Sequence, residues 1–311
     1  VTLADAGVTP EQMLDFWAGP KDKNGERLGQ TVRHGYIVIA VNWQEPHQFI
    51  YNYSPREHEA VLSSLRDACR RFSIDVDRVY LTGHGIGGDA AWDIAIAHPD
   101  LWAGVLPIAA VADKYVGRYA ENAQYLNWYV VSGELDGDKM AKNGRELDRY
   151  MRPGNDVTVV EYEGRGYEPF GDEIQRIFEW MGLKQRKMPK EINCVSMRPW
   201  DSFFWWIEVE GLPARSMVAP GNWPPPRTVR PVMIKGKRLE TNKVTVQLQA
   251  NKTTIWLSPE LVDLNKRLVV ELNGRTLTPP DRTVHPDLTV LLEDVRTRAD
   301  RQHPFWAKLS N

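Results

Sequence analysis

Residues Val79-Tyr80-Leu81-Thr82 run directly into Gly83-His84-Gly85-Ile86-Gly87-Gly88. An apolar, β-branched run that ends in alternating glycines and is followed by the apolar stretch Gly88–Ala97 predicts a strand, a very tight turn and a helix. A turn this sharp brings strand and helix within backbone contact, so side chains at Gly83 and Gly87 would collide. Few folds contain such a corner, and it is the feature that most limits what this chain can become.

The surrounding pattern repeats the same alternation. Strand candidates are Val1–Leu3, Tyr36–Asn42, Val79–Thr82, Gly104–Ile108, Trp128–Ser132 and Val157–Tyr162, each short, apolar and rich in β-branched or aromatic residues. Between them lie helix candidates Pro10–Trp17, Pro55–Phe72, Gly88–Ala97, Ala141–Met151 and Asp172–Met181. Pro55–Phe72 carries Val61, Leu62, Leu65, Ala68, Cys69 and Phe72 on one face behind Ser54 as N-cap. Strand–helix alternation predicts a doubly wound, mostly parallel sheet over residues 1–184.

After the charged linker Lys184–Lys190 the texture becomes β-rich. Phe203–Val209, Val229–Ile234, Val244–Gln249, Thr253–Leu257 and Arg267–Leu272 read as strands, and Asn273-Gly274 as a hairpin turn. A short helix is expected near Pro259–Leu264. Residues 191–311 are therefore expected to form an all-β, sandwich-like second domain. Trp205, Trp206 and Trp256 read as its core. Trp223, in the Pro-rich stretch Val218–Arg230, is the better candidate for an exposed contact.

The turn has two readings. Gly83-x-Gly85-x-x-Gly88 satisfies a dinucleotide-binding string, but that motif belongs after the first strand, with an acid ending the next one. Here the next strand ends in Pro107-Ile108-Ala109-Ala110, without an acid. The better match is the nucleophile elbow, Gly-x-Ser-x-Gly, and residues 1–182 resemble an α/β-hydrolase of the esterase, dienelactone-hydrolase or prolyl-oligopeptidase type. That resemblance implies roles for further residues. Gly133-Glu134-Leu135-Asp136 is similar to the turn carrying the catalytic acid, which matches Asp136. Gly164-Arg165-Gly166-Tyr167-Glu168 is similar to the segment carrying the catalytic histidine, which places Tyr167 at the base. Ala4-Asp5-Ala6-Gly7 matches the oxyanion loop without its histidine, so Asp5, Ala6 and the Ile86 N–H are expected to outline a residual oxyanion hole.

At the nucleophile position stands Gly85, which has no oxygen with which to attack. A tyrosine titrates near 10 and is a poor base at neutral pH. The three departures together fit natural decay better than a single engineered substitution. The chain is therefore expected to be a catalytically inactive homologue that binds or scaffolds. Alternatives are an active ester or peptide hydrolase with a displaced nucleophile, and a purely structural subunit. His84 is expected to point away from the pocket. Glu134, Asp136 and Asp138 do not form a Ca²⁺-loop pattern, and Asp89 and Glu168 are candidates for the pocket wall.

Hydrophobic residues make up 42 % of the chain and the net charge is −2, without a polybasic tract. This argues against nucleic acid or a charged membrane surface as partner. The apolar runs are too short to span a bilayer, so a soluble chain is expected. Cys69 and Cys194 are widely separated and read as buried thiols, and the spacing of Cys and His suggests no metal site. No cofactor is expected. A small molecule or peptide in the relict pocket is the expected ligand. The chain starts at Val1 without Met, so the family's first two strands are expected to be missing. That would leave Tyr36–Val41 as an apolar sheet edge paired with an upstream segment or another chain.

Overall fold

The computed structural model describes all 311 residues. They divide into two compact units, one of Val1–Ile96 with Leu101–Lys187, the other of Ala97–Asp100 with Met188–Asn311.

The first unit is built on strands β1 (Thr2–Leu3), β2 (Ala40–Val41), β3 (Tyr80–His84), β4 (Gly104–Ile108), β5 (Asn127–Gly133) and β6 (Asp156–Tyr162). All pair in parallel, in the order β2-β1-β3-β4-β5-β6. Helices α1 (Pro10–Ala18), α2 (Gln30–Arg33), α3 (Pro55–Arg71), α4 (Ile86–Ala97), α5 (Lys139–Tyr150) and α6 (Ile174–Gly182) lie between the strands. Both α1 and α3 start with proline behind a complete capping box, Thr9 with Gln12 and Ser54 with Glu57. These side chains satisfy amide hydrogens that the first turn leaves unpaired.

Strand alternation sends neighbouring side chains to opposite faces of the sheet. On β5, Trp128 packs on Trp92 of α4 and stacks on Tyr150 of α5. The next residue, Tyr129, meets Trp180 of α6 instead. Helices therefore cover both faces. The α1–α6 side gathers Met13, Trp17, Leu106, Ile108, Val131, Ile177 and Phe178 into one buried cluster. Each such side chain contributes roughly 1.5–3 kcal/mol on burial.

Differences from the sequence expectation are local. Only Ala40–Val41 of the stretch Tyr36–Asn42 is paired as a strand. β2 is an edge of the sheet, bonded to β1 alone, and Ile37 beside it is 53 % exposed. The last helix of this unit begins at Ile174, after a short 3₁₀ turn over Gly171–Glu173, rather than at Asp172.

The second unit contains two sheets. One holds β7 (Glu191–Ser196), β10 (Val232–Leu239), β11 (Lys243–Gln247), β13 (Val269–Leu272) and β14 (Arg275–Thr276). The other holds β8 (Phe203–Phe204), β9 (Ile207–Glu210), β12 (Lys252–Leu257) and β15 (Ala307–Ser310). Gly236 of β10 faces Trp206 and Ile207, close enough that a methyl group there would meet both side chains at 2.7 Å. This is the face-to-face packing of a sandwich.

Asn273-Gly274 turns β13 into β14 as expected. Phe203–Val209 is not one strand. Trp205, at φ 62°, and Trp206 form the turn of a hairpin that pairs Phe204 with Ile207. Trp205, Trp206 and Trp256 are buried. The segment Pro259–Leu264 is a turn, not a helix. The helix of this unit is α7 (Leu288–Arg298), N-capped by Asp287. Cys69 and Cys194 are both buried, and no disulfide joins them. No helix is long and apolar enough to cross a membrane.

Candidate functional site

The corner after β3 has the geometry its glycines imply. Gly85 sits at φ 53°, in the left-handed region. A Cβ at Gly83 would run into the Gly87 carbonyl, and one at Gly87 into the carbonyls of Leu3 and Ala4. The end of β1 therefore touches the corner, which brings the Ala4–Gly7 loop over residue 85. The Gly85 N–H donates to the Ile108 carbonyl at 3.0 Å, and its carbonyl accepts the Asp89 N–H at 3.0 Å to begin α4.

A parallel sheet with this strand order, turning through a left-handed residue at a strand–helix corner after β3, decides the architecture. The first unit has the α/β-hydrolase fold.

No family model matches the chain, and no curated protein matches it. Among solved structures, it is similar to a thermostable esterase at 23 % identity, over 46 % of this chain and 39 % of that one, with a TM-score of 0.38. It is also similar to Arabidopsis thaliana SOBER1 at 14 % identity, over 58 % of this chain and 95 % of that one, with a TM-score of 0.41. A third similarity is to the Bacillus cereus carboxylesterase, at 13 % identity over 58 % and 87 % of the two chains, with a TM-score of 0.44. At this distance the fold assignment rests on the strand order and the corner.

The volume above Gly85 is occupied. A Cβ built on it would overlap the Tyr167 hydroxyl and the Asp5 carboxylate. Tyr167 donates its hydroxyl hydrogen to Asp5 Oδ2. Asp5 Oδ1 accepts the Ile86 N–H at 3.1 Å. That N–H, expected to help outline a residual oxyanion hole, is bonded to a carboxylate from the same chain. Burial opposes the charge on Asp5. The contact with His84 and hydrogen bonds from Tyr167 and the Ala6 and Ile86 amides outweigh this and hold its pKa at about 2. The same environment raises the Tyr167 pKa, first through burial and then through the Asp5 charge, so its phenol stays protonated.

His84 does not point away from the pocket. Its Nε2 bonds the Glu168 carbonyl at 2.8 Å, and its Nδ1 lies 3.5 Å from Asp5 Oδ2. Its ring is 4.9 Å from that of Tyr167.

Asp136 is buried at the N-terminal side of α5. Its partner is Lys139, whose ammonium lies 2.9 Å from Asp136 Oδ2, donates to the Ala109 carbonyl at 2.8 Å and rests 4.2 Å above the Tyr167 ring. Lys139 thus links the acid to the tyrosine through charge and ring contact. The sequence reading missed it, although the spacing Asp136-x-x-Lys139 at a helix start carries the signal.

The remaining acids are spread out. Glu134 accepts the Gly164 N–H, and Asp138 pairs with Lys142. Glu168 is held by a two-pronged contact with Arg165, at 2.7 Å on each prong. Asp89 accepts the Val111 N–H at 2.7 Å, and burial raises its pKa to about 7. Trp223, half-buried, belongs to the second unit.

Beside the corner opens a cavity of about 330 Å³. Val8, Met13, Phe16, Trp17, Ile108 and Pro169 make its apolar wall, while Asp5, His84 and Tyr167 stand together on its polar side.

Proposed function

We propose that this chain is a catalytically inactive α/β-hydrolase homologue that works as a binding module. One observation carries the reading. The oxygens of Asp5 and Tyr167 fill the space that a nucleophilic side chain at residue 85 would need.

Acyl transfer requires an attacking oxygen, a base to take its proton and donors for the developing oxyanion. Glycine at residue 85 supplies no oxygen. Tyr167 donates its proton to Asp5 rather than accepting one. Asp136 is neutralised by Lys139 instead of orienting an imidazole. The Ile86 amide, which would meet an oxyanion, meets a carboxylate, and a negative charge in that position repels a second one. The arrangement is bonded within itself, while the cavity beside it offers apolar surface to a small ligand. This cavity favours binding over a purely structural part.

The test is turnover of short p-nitrophenyl esters by the intact chain, together with labelling by a serine-reactive phosphonate. Turnover indistinguishable from buffer and no covalent adduct are expected. Phosphonate-sensitive turnover would overturn the proposal.

A further inference from the structure

We infer that the cavity beside Gly85 selects a small organic ammonium ion with an aromatic or alkyl tail, recognised by Asp5 and His84. This rests on the binding reading of the site and specifies its ligand.

The first argument is charge. No lysine or arginine lines the cavity. Its two acids differ. Glu168 is committed to Arg165, whereas Asp5 is bonded only by neutral donors and by His84. The nearest ammonium, Lys139, lies against the Tyr167 ring and is held by Asp136 and the Ala109 carbonyl. An anionic ligand would meet the Asp5 carboxylate, which is bonded but paired with no lysine or arginine, at the polar side of the cavity, and a cation would be attracted to it.

The second argument is hydrogen-bond accounting. His84 Nε2 faces the Glu168 carbonyl at 2.8 Å, so that nitrogen carries the hydrogen. In a neutral ring Nδ1 is then an acceptor. It faces Asp5 Oδ2, a second acceptor, at 3.5 Å. The Tyr167 hydroxyl, bonded to Asp5 Oδ2 and 3.5 Å from His84 Nδ1, has one hydrogen for the two acceptors, which leaves a place for a second donor. An ammonium group, with three hydrogens and no lone pair, satisfies both.

The third argument is shape. Phe16 and Trp17 stand on the wall with Met13 and Val8. Aromatic faces near a carboxylate suit a cation with an apolar body, through both burial and cation–π attraction.

The experiment titrates the intact chain at neutral pH with three probes of similar shape: 2-phenylethylammonium, 2-phenylethanol and 3-phenylpropanoate. Affinity is read by calorimetry and the His84 ring by NMR. The ammonium should bind about tenfold or more tighter than the carboxylate, as one charge contact predicts. Asp5→Asn should erase that ranking, and Met13→Trp should weaken all three by filling the cavity. Equal or tighter binding of 3-phenylpropanoate overturns the inference. So does failure of all three to saturate, or a ranking unchanged in Asp5→Asn. The wild-type ranking stands even if a variant does not fold. Hydrolysis of 2-phenylethyl acetate, followed in parallel, bears on the inactive-hydrolase reading alone.

Discussion

The backbone N–H of Ile86 donates to the Asp5 carboxylate across 3.1 Å. On the proposed inactive reading that contact places a resident anion on the amide proposed as oxyanion donor, so an oxygen added at residue 85 is expected to be insufficient for catalysis. The double variant Gly85→Ser/Tyr167→His should turn over p-nitrophenyl acetate at background rate. Adding Asp5→Ala should raise the rate, by up to about a hundredfold if the freed amide acts as an oxyanion donor. Appreciable turnover in the double variant would show that Asp5 is no obstacle.

Asp89 gives the fold a pH dependence. Its pKa is raised from 3.8 to about 7, mainly by burial and further by the Asp113 and Asp5 charges, against Lys139. The folded state therefore holds this proton more tightly than the unfolded chain. The stability gained is complete below pH 3.8 and is lost as pH rises through about 7. Asp89→Asn, which can keep the bond from the Val111 N–H, should match the wild type near pH 4. It should exceed the wild type at pH 8, on the order of 2–3 kcal/mol. Urea unfolding at a series of pH values measures the difference, and a gap that does not widen with pH would refute it.

Lys139 holds a buried acid. Lys139→Met leaves Asp136 without its cation and the Ala109 carbonyl without its donor. A loss of about 2–4 kcal/mol is expected. Asp136→Asn in the same chain should recover part of it, because the stranded charge is gone. A double-mutant cycle by thermal or urea unfolding gives the coupling, and additive losses would mean that the pair is not energetically linked.

In the second unit, Gly236→Ala inserts a methyl group against Trp206 and Ile207 at 2.7 Å. Overpacking of this kind costs about 1–3 kcal/mol. Ile207→Val in the same chain should relieve some of it. A Gly236→Ala variant as stable as the parent in urea unfolding would show that the two sheets can separate slightly without cost.

The parts legible in the sequence were those set by backbone chemistry. Gly83 and Gly87 announced the corner because only glycine fits so close a backbone approach. Ser54 with Pro55 marked the start of α3, and Asn273-Gly274 marked a hairpin. Tyr167 was found by its place after the last strand. What escaped depends on where side chains turn. The direction of the Asp5 carboxylate is fixed by the end of β1 crossing the corner, which no local pattern records. α7 was missed because its apolar positions do not line one face: Leu288 and Leu292 are 70 % and 58 % exposed, and only Asp287 behind Pro286 signals its start. Phe203–Val209 looked continuous because bulky aromatic residues rarely occupy a hairpin turn, yet Trp205 and Trp206 do.

The crowding above Gly85 also bears on how this chain can change. A serine gained there first would meet Tyr167 and Asp5, and would sit on a left-handed backbone that glycine tolerates better. A histidine gained at residue 167 first would lose the hydroxyl bond to Asp5 with no serine to serve. Asp5 lost first would leave the Ile86 amide and the Tyr167 hydroxyl without their acceptor. Each of these single changes breaks a contact or adds a clash at the site. On the proposed inactive reading, single substitutions here are therefore expected to change which ligand the site holds rather than to bring about hydrolysis.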